Sequence, residues 1–172
     1  MTLSDTKRLT FRRFDEKDAY LLFQLDSDPD VMKYITLGKP RTKKDIRNNI
    51  LPKIIKSYDS TSHYGIFSAF LKLNGDFIGW FQFEADKLIP GAIEIGWRLK
   101  KNYWGNGYAT EGAKMLVSTG RKLNRLIVAQ AMIENKASIR VMEKAGLTFA
   151  EEFWGDYKPH SGKPDVRYEL KP

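Results

Sequence analysis

Tyr103-Trp104-Gly105-Asn106-Gly107-Tyr108-Ala109-Thr110 lies between two patterned stretches. Before it, Ile93-Glu94-Ile95-Gly96-Trp97-Arg98-Leu99 reads as a strand. After it, Gly107–Leu123 reads as a helix with Ala109, Ala113, Leu116 and Val117 on one face. Glycine lets a backbone come close to a ligand. A helix start adds unpaired N–H donors and the positive end of a dipole. A strand, a loop with Gly105 and Gly107, and a helix together make an anion site suited to a pyrophosphate. The two glycines taken alone are equally an ordinary tight turn. A P-loop would need Gly-Lys-Ser/Thr, but Tyr108-Ala109 follows Gly107. A dinucleotide fingerprint would need a third glycine where Thr110 stands, together with parallel βαβ units.

Working outward, Arg8–Phe14 reads as a first strand, and Asp15 caps a helix over Glu16–Leu25. Asp28-Pro29-Asp30 opens a helical turn through Tyr34. Thr42 and Asp45 resemble a capping box for a helix reaching about Ser57, which Pro52 should kink or divide. His63–Leu73 and Asp76–Glu84 alternate as strands about Asn74-Gly75, a hairpin signal because both residues tolerate positive φ. Ala92–Leu99 is a third consecutive strand, and the apolar Arg125–Ile133 a buried one. Asn135 caps a helix that ends at Gly146, and Leu147–Trp154 and Asp165–Leu170 close the order as strands. The result is a mixed α/β architecture, without the regular alternation of a doubly wound domain.

The 172 residues fit one domain, 1–172, long enough to bury a substantial core. There is no cysteine, which excludes disulfides, thiolate metal sites and a cysteine nucleophile. No apolar leader or run of roughly 20 apolar residues occurs, so the expectation is a cytoplasmic protein away from membranes. The net charge of +8 is spread along the chain without a basic tail or interleaved aromatic motif, so no nucleic-acid role is expected. His63 and His160 lack metal-like spacing, and no metal is expected.

Tyr103–Glu111 resembles the acetyl-CoA pyrophosphate loop of the GNAT superfamily of N-acetyltransferases, in the branch of the ribosomal-protein acetyltransferases RimJ and RimL. Ala92–Trp97 is similar to the strand before that loop, and Asn135–Leu147 to the second signature of the family. Arg8–Arg12, Asp15–Asp18 and Asp28–Met32 complete a resemblance that covers nearly the whole chain. It implies a central, mostly antiparallel, twisted sheet of about seven strands flanked by helices.

The resemblance also implies roles. Main-chain atoms of Trp97, Arg98 and Leu99 would bind the pantetheine arm like an added strand. The amides of Gly105, Asn106, Gly107, Tyr108, Ala109 and Thr110 would hold the pyrophosphate, and Asn135 would contact the pantetheine arm. The family often has Gln or Arg where Asn102 stands. Glu94 matches a common acidic residue and becomes the candidate base, acting through water. Met142 occupies the position of a frequent tyrosine acid and cannot donate a proton, whereas Ser138 matches a serine given that role in the RimL-like branch. On structural grounds alone Glu94 is a surface or ion-paired glutamate, Asn135 a helix N-cap and Ser138 a first-turn helix residue.

The implied activity is transfer of an acetyl group from acetyl-CoA to a primary amine, direct because no cysteine can carry it. Its acceptor is a protein N-terminus, an amino acid or peptide, a polyamine or an antibiotic amine, and a homodimer is left open. The alternative is a non-enzymatic acyl-CoA-binding module, which needs neither Glu94 nor Ser138.

Overall fold

The computed structural model describes residues 3–58, 64–155 and 162–172. Seven strands form one sheet in the order β1-β2-β3-β4-β5-β7-β6. They are β1 (Leu9–Arg13), β2 (Gly65–Leu71), β3 (Phe77–Ala85), β4 (Ile93–Leu99), β5 (Ile127–Met132), β6 (Thr148–Phe153) and β7 (Asp165–Leu170). Every neighbouring pair is antiparallel except β4–β5. The sheet is mixed because β5 joins β4 through a crossover helix, whereas β2, β3 and β4 follow one another through turns.

Helices α5 (Tyr108–Lys122) and α6 (Lys136–Lys144) cover one face. Leu116, Val117, Ile139 and Met142 pack there on Phe81, Phe83, Ile93 and Ile95. Gly112 lets α5 lie flat on the sheet, since a Cβ at that position would collide with the Phe81 ring. Across β2 and β3 the other face is covered by α1 (Ala19–Asp26), α2 (Pro29–Met32), α3 (Lys43–Asp45) and α4 (Leu51–Ser57). Phe14, Leu22, Leu25, Ile46, Leu51 and Ile54 form that second core with Phe77.

Three local expectations are revised and one holds. The Glu16–Leu25 helix is split into a 3₁₀ turn (Glu16–Asp18) and α1, because the Asp18 carboxylate accepts two bonds from Arg12 and one from the Asp15 amide. Thr42 does accept the Asp45 amide at 3.1 Å, but Asp45 turns its carboxylate to Arg41 and Asn49, so the reciprocal half of the box is missing. Pro52 divides its helix as expected, through a π turn at Ile46–Ile50 that precedes it. Asn74-Gly75 does not form a two-residue turn. Only Gly75 has positive φ (75°), and Asn74 and Asp76 bond to each other, giving a longer loop closed from Gly75 N to Leu71 O at 2.8 Å.

Candidate active site

The parallel strands β4 and β5 pair only at Ile93↔Ile127 and Glu94↔Val128. Beyond that point β4 stays on β3 as far as Gly79↔Leu99, while β5 stays on β7 as far as Met132↔Asp165. The sheet therefore opens as a V towards the carboxyl ends of the two parallel strands. Gly79 keeps β4 close to β3 along this arm. Its φ of 144° and missing Cβ let the Arg98 carbonyl come so close to β3 that any side chain would collide with it. Trp97, Arg98 and Leu99 line the β4 arm of the V, an unpaired edge that an extended ligand can complete. One group on it is already engaged: the Leu99 carbonyl accepts the Trp104 indole N–H at 2.8 Å.

The loop Tyr103–Thr110, leading from β4 into α5, closes the open end. Gly105 and Gly107 have φ of 77° and 79°. No side chain caps α5 at Gly107, and the first helical bond of α5 runs from Glu111 N to Gly107 O at 3.0 Å. The amides of Tyr108, Ala109 and Thr110 precede that bond and have no acceptor within the helix. A Cβ on Gly105 would meet nothing within 4 Å, so packing of the chain itself does not demand glycine there. Left-handed backbone, open space and uncapped amides fit a diphosphate. Asn102 lies in the short 3₁₀ turn Lys101–Tyr103 that leads into the loop.

Because α6 directly follows β5, as α5 follows β4, both helices start at the same end of the parallel pair. Asn135 accepts the Ser138 amide through Oδ1 at 3.1 Å, so it is the N-cap its sequence suggests, and Ser138 sits half-buried in the first turn. Met142 is 1% exposed and belongs to the core.

Glu94 stands at the closed end of the V. Ile93 and Ile95 face the core beneath α5, so Glu94 between them faces the opposite side of the sheet. Arg98 shares that side, and so do Gln130 between Ala129 and Ala131 and Arg167 between Val166 and Tyr168. Burial pushes the Glu94 carboxyl above the usual range, and the nearby Asp86 and Glu84 push it the same way. Lys87 and Arg167 oppose the shift without cancelling it. Glu84 is the direct cross-strand partner of Glu94 and is itself raised by burial. A carboxyl held up in this way suits a proton acceptor working near neutral pH.

The wall beside this face is polar but tightly tied. Asp26, 1% exposed, accepts Arg98 Nη1 at 2.7 Å and lies 3.4 Å from Arg41 Nε. The Arg98 guanidinium also stacks over Trp80 at 4.9 Å. The Arg98–Asp26 pair joins residues 72 positions apart, which no local pattern announces. The same holds for Arg8, which reaches the loop from the residue before β1 through Glu111 and Asn106.

Trp80 thus belongs to this wall, Phe81 and Phe83 to the core, Trp97 packs partly on the core, and Trp104 and Trp154 are exposed. A cleft of about 430 Å³ behind α6, lined by Lys136, Arg140, Phe149 and Tyr168 among others, includes neither Glu94 nor the loop. Among the described residues no group of three or more His, Cys, Asp or Glu could hold a metal, and no helix is long and apolar enough to cross a membrane. His63, His160 and part of the Gly155–Lys163 segment lie outside the described residues.

Residues 8–148 match the profile of a family described as acetyltransferase (GNAT) domain. The FsC-acetyl coenzyme A-N(2)-transacetylase of Aspergillus fumigatus is 29% identical over 96% of this chain and 74% of its own length. The crystal structure of a GNAT-family acetyltransferase from Bacillus anthracis is 30% identical, with a TM-score of 0.81 over 99% of this chain and 98% of that one. RimL, a ribosomal L7/L12 α-N-protein acetyltransferase solved in complex with coenzyme A, shares the fold at a TM-score of 0.81 and 18% identity, over 99% of this chain and 98% of its own.

Proposed function

The chain belongs to the GNAT acetyltransferase family, and from that premise we propose that it moves an acetyl group directly from acetyl-CoA to a primary amine. It is an N-acetyltransferase. The observation that carries the proposal is the V between β4 and β5, with an uncapped, glycine-bearing helix start at its open end and a raised glutamate at its closed end.

Acetyl-CoA supplies an acetyl thioester. The amides from Gly105 to Thr110 hold the diphosphate, the main chain from Trp97 to Leu99 pairs with the extended arm, and Asn135 contacts that arm from the start of α6. From Leu99 to Glu94 the strand spans about 17 Å, and the arm runs along it towards Glu94. As the amine nitrogen bonds to the acetyl carbon and the carbon–sulfur bond breaks, Glu94 takes the amine proton through a water. Ser138 donates a hydrogen bond to the departing sulfur.

The acceptor is bound on the Glu94 face, between that carboxylate and the Arg98–Trp80 wall. Its class stays as wide as the sequence leaves it: a protein N-terminus, an amino acid or peptide, a polyamine or an antibiotic amine. The helices from Ile35 to Tyr58 and the C-terminal strands make the selection. The names of the relatives span unlike acceptors and do not choose among them. All three are called acetyltransferases or transacetylases, and none supports a non-enzymatic acyl-CoA-binding module.

The test is release of CoA on a panel of amines from each class. Turnover on at least one class is expected. Tight CoA binding without turnover on any amine would replace the enzyme reading with the binding module.

A further inference from the structure

Arg8 immediately precedes β1, at the edge of the sheet, yet its side chain ends at the loop. Its Nε donates to Glu111 Oε2 at 2.6 Å and its Nη1 to the Asn106 carbonyl at 3.0 Å. Its guanidinium lies over the Tyr108 ring, 4.4 Å from the centroid. Glu111 accepts two further bonds from the same segment, from the Arg8 amide at 2.8 Å and from Thr6 Oγ1 at 2.6 Å.

Two consequences follow for an anion at the loop. In a trans peptide the C=O and the following N–H point in opposite directions. With the Asn106 carbonyl fixed on the Arg8 side, the Gly107 amide is turned away from Arg8, outward from the chain. The second concerns charge. Glu111 lies in the first turn of α5, where a free carboxylate would compete for the positive end of the helix. Burial pushes its pKa up, but the bonds from Thr6 and Arg8 outweigh burial and hold the carboxyl below the usual range. Glu111 therefore stays charged and stays tied to Arg8.

We propose that Arg8 is a positioning residue of the donor site: by fixing the Asn106 carbonyl and the Glu111 carboxylate it aims the Gly107–Thr110 amides at the diphosphate of acetyl-CoA. This rests on the reading of the loop as the diphosphate site. Arg8 acts through the main chain it fixes. Lysine cannot reproduce the role fully, because a point charge lacks the fork that serves Glu111 and Asn106 together.

The experiment compares acetyl-CoA with S-acetylpantetheine, which carries the same thioester arm without the nucleotide diphosphate. The readout is the ratio of their kcat/KM values in the wild type, Arg8→Gln and Arg8→Lys. The wild type should prefer acetyl-CoA. Arg8→Gln should cut that preference by about tenfold, the equivalent of one charge-assisted hydrogen bond, with the loss in KM for acetyl-CoA. Arg8→Lys should cut it by about threefold. A merely structural clamp would lower both substrates in proportion and leave the ratio unmoved, which overturns the proposal. If circular dichroism shows that Arg8→Gln does not fold, the ratio in Arg8→Lys decides in the same way. A wild type with no preference for acetyl-CoA would overturn the loop reading itself, an outcome distinct from the failure of Arg8 alone.

Discussion

Gly105, Gly107 and Gly146 all have left-handed backbone, with φ of 77°, 79° and 96°. A Cβ at Gly105 or Gly146 would meet nothing within 4 Å, and at Gly107 only Arg8 Nη2 at 3.5 Å. Alanine at any of the three costs about 1–2 kcal/mol for the left-handed conformation, partly offset by about 0.4–1 kcal/mol from a less flexible unfolded chain. The net loss is about 0.5–1 kcal/mol at each position, or about 1–4 °C in Tm for a chain of this size. Thermal melts should therefore place the three alanine variants together. Ligand binding should separate them. Gly146 follows α6, which runs back from the site, so it lies at the far end of the sheet from the loop. In Gly105→Ala the methyl group enters the open space assigned to phosphate oxygens, and in Gly107→Ala it meets Arg8 Nη2 and disturbs the loop whose amides hold them. Losing one or two charge-assisted hydrogen bonds, about 1.5–3 kcal/mol each, weakens CoA by at least about tenfold. Calorimetric titration with CoA reads this directly, with Gly146→Ala as the matched control. Wild-type CoA affinity in both loop variants, alongside the shared stability loss, would reduce the glycines to turn formers and refute the site.

Glu94→Gln should lower kcat by about 10²–10⁴-fold and change CoA affinity much less, since a base acts on the chemical step; wild-type turnover would remove Glu94 from the mechanism. Its raised carboxyl also sets a sign for stability. A folded pKa above the unfolded one gives stability that is complete below the unfolded pKa and is lost as pH rises through the folded pKa, so pH-dependent melts of Glu94→Gln should lack that decline. Glu84→Gln removes one of the like charges that raise Glu94, so the acid limb of the pH–rate profile should move to lower pH; an unmoved limb would separate the two carboxylates. Ser138→Ala should slow turnover by about 2–10-fold, the range of a neutral hydrogen bond, and an unchanged rate would leave Ser138 with a structural role only.

What local sequence carried, the fold repeats: the alternation in Phe77–Ala85 and Ile93–Leu99, the apolar Ile127–Met132, and the Asn135 cap on Ser138. Each depends on neighbours a few positions away, and period two or a cap is visible at that range. The misplaced details depend on competition for one side chain. Asp18 is drawn to Arg12, Asp45 to Arg41 and Asn49, and Asn74 to Asp76, so each local signal meets a partner the pattern does not weigh. Within the site, loop and strand were legible but their relation was not. The V exists because β4 follows β3 at Gly79 while β5 follows β7, a result of pairings between distant segments.

The placing of Glu94 shows why a site can run against stability. Glu84 and Glu94 face each other across β3 and β4, and like charges directly opposite in a sheet are destabilising, on the order of 0.2–1 kcal/mol. Burial adds to the cost of both charges, and Asp86 adds a third negative group. A sheet shaped only for stability would place an apolar or oppositely charged residue opposite Glu84. Arg167 and Lys87 are close enough to moderate Glu94, yet among the described residues Arg167 is paired with Glu151 and stacked on Phe153. Its charge is thus partly committed elsewhere, and the Glu94 carboxyl stays raised. That arrangement is costly for a strand and useful for a base, and it sits where the β4–β5 pairing ends and the V begins.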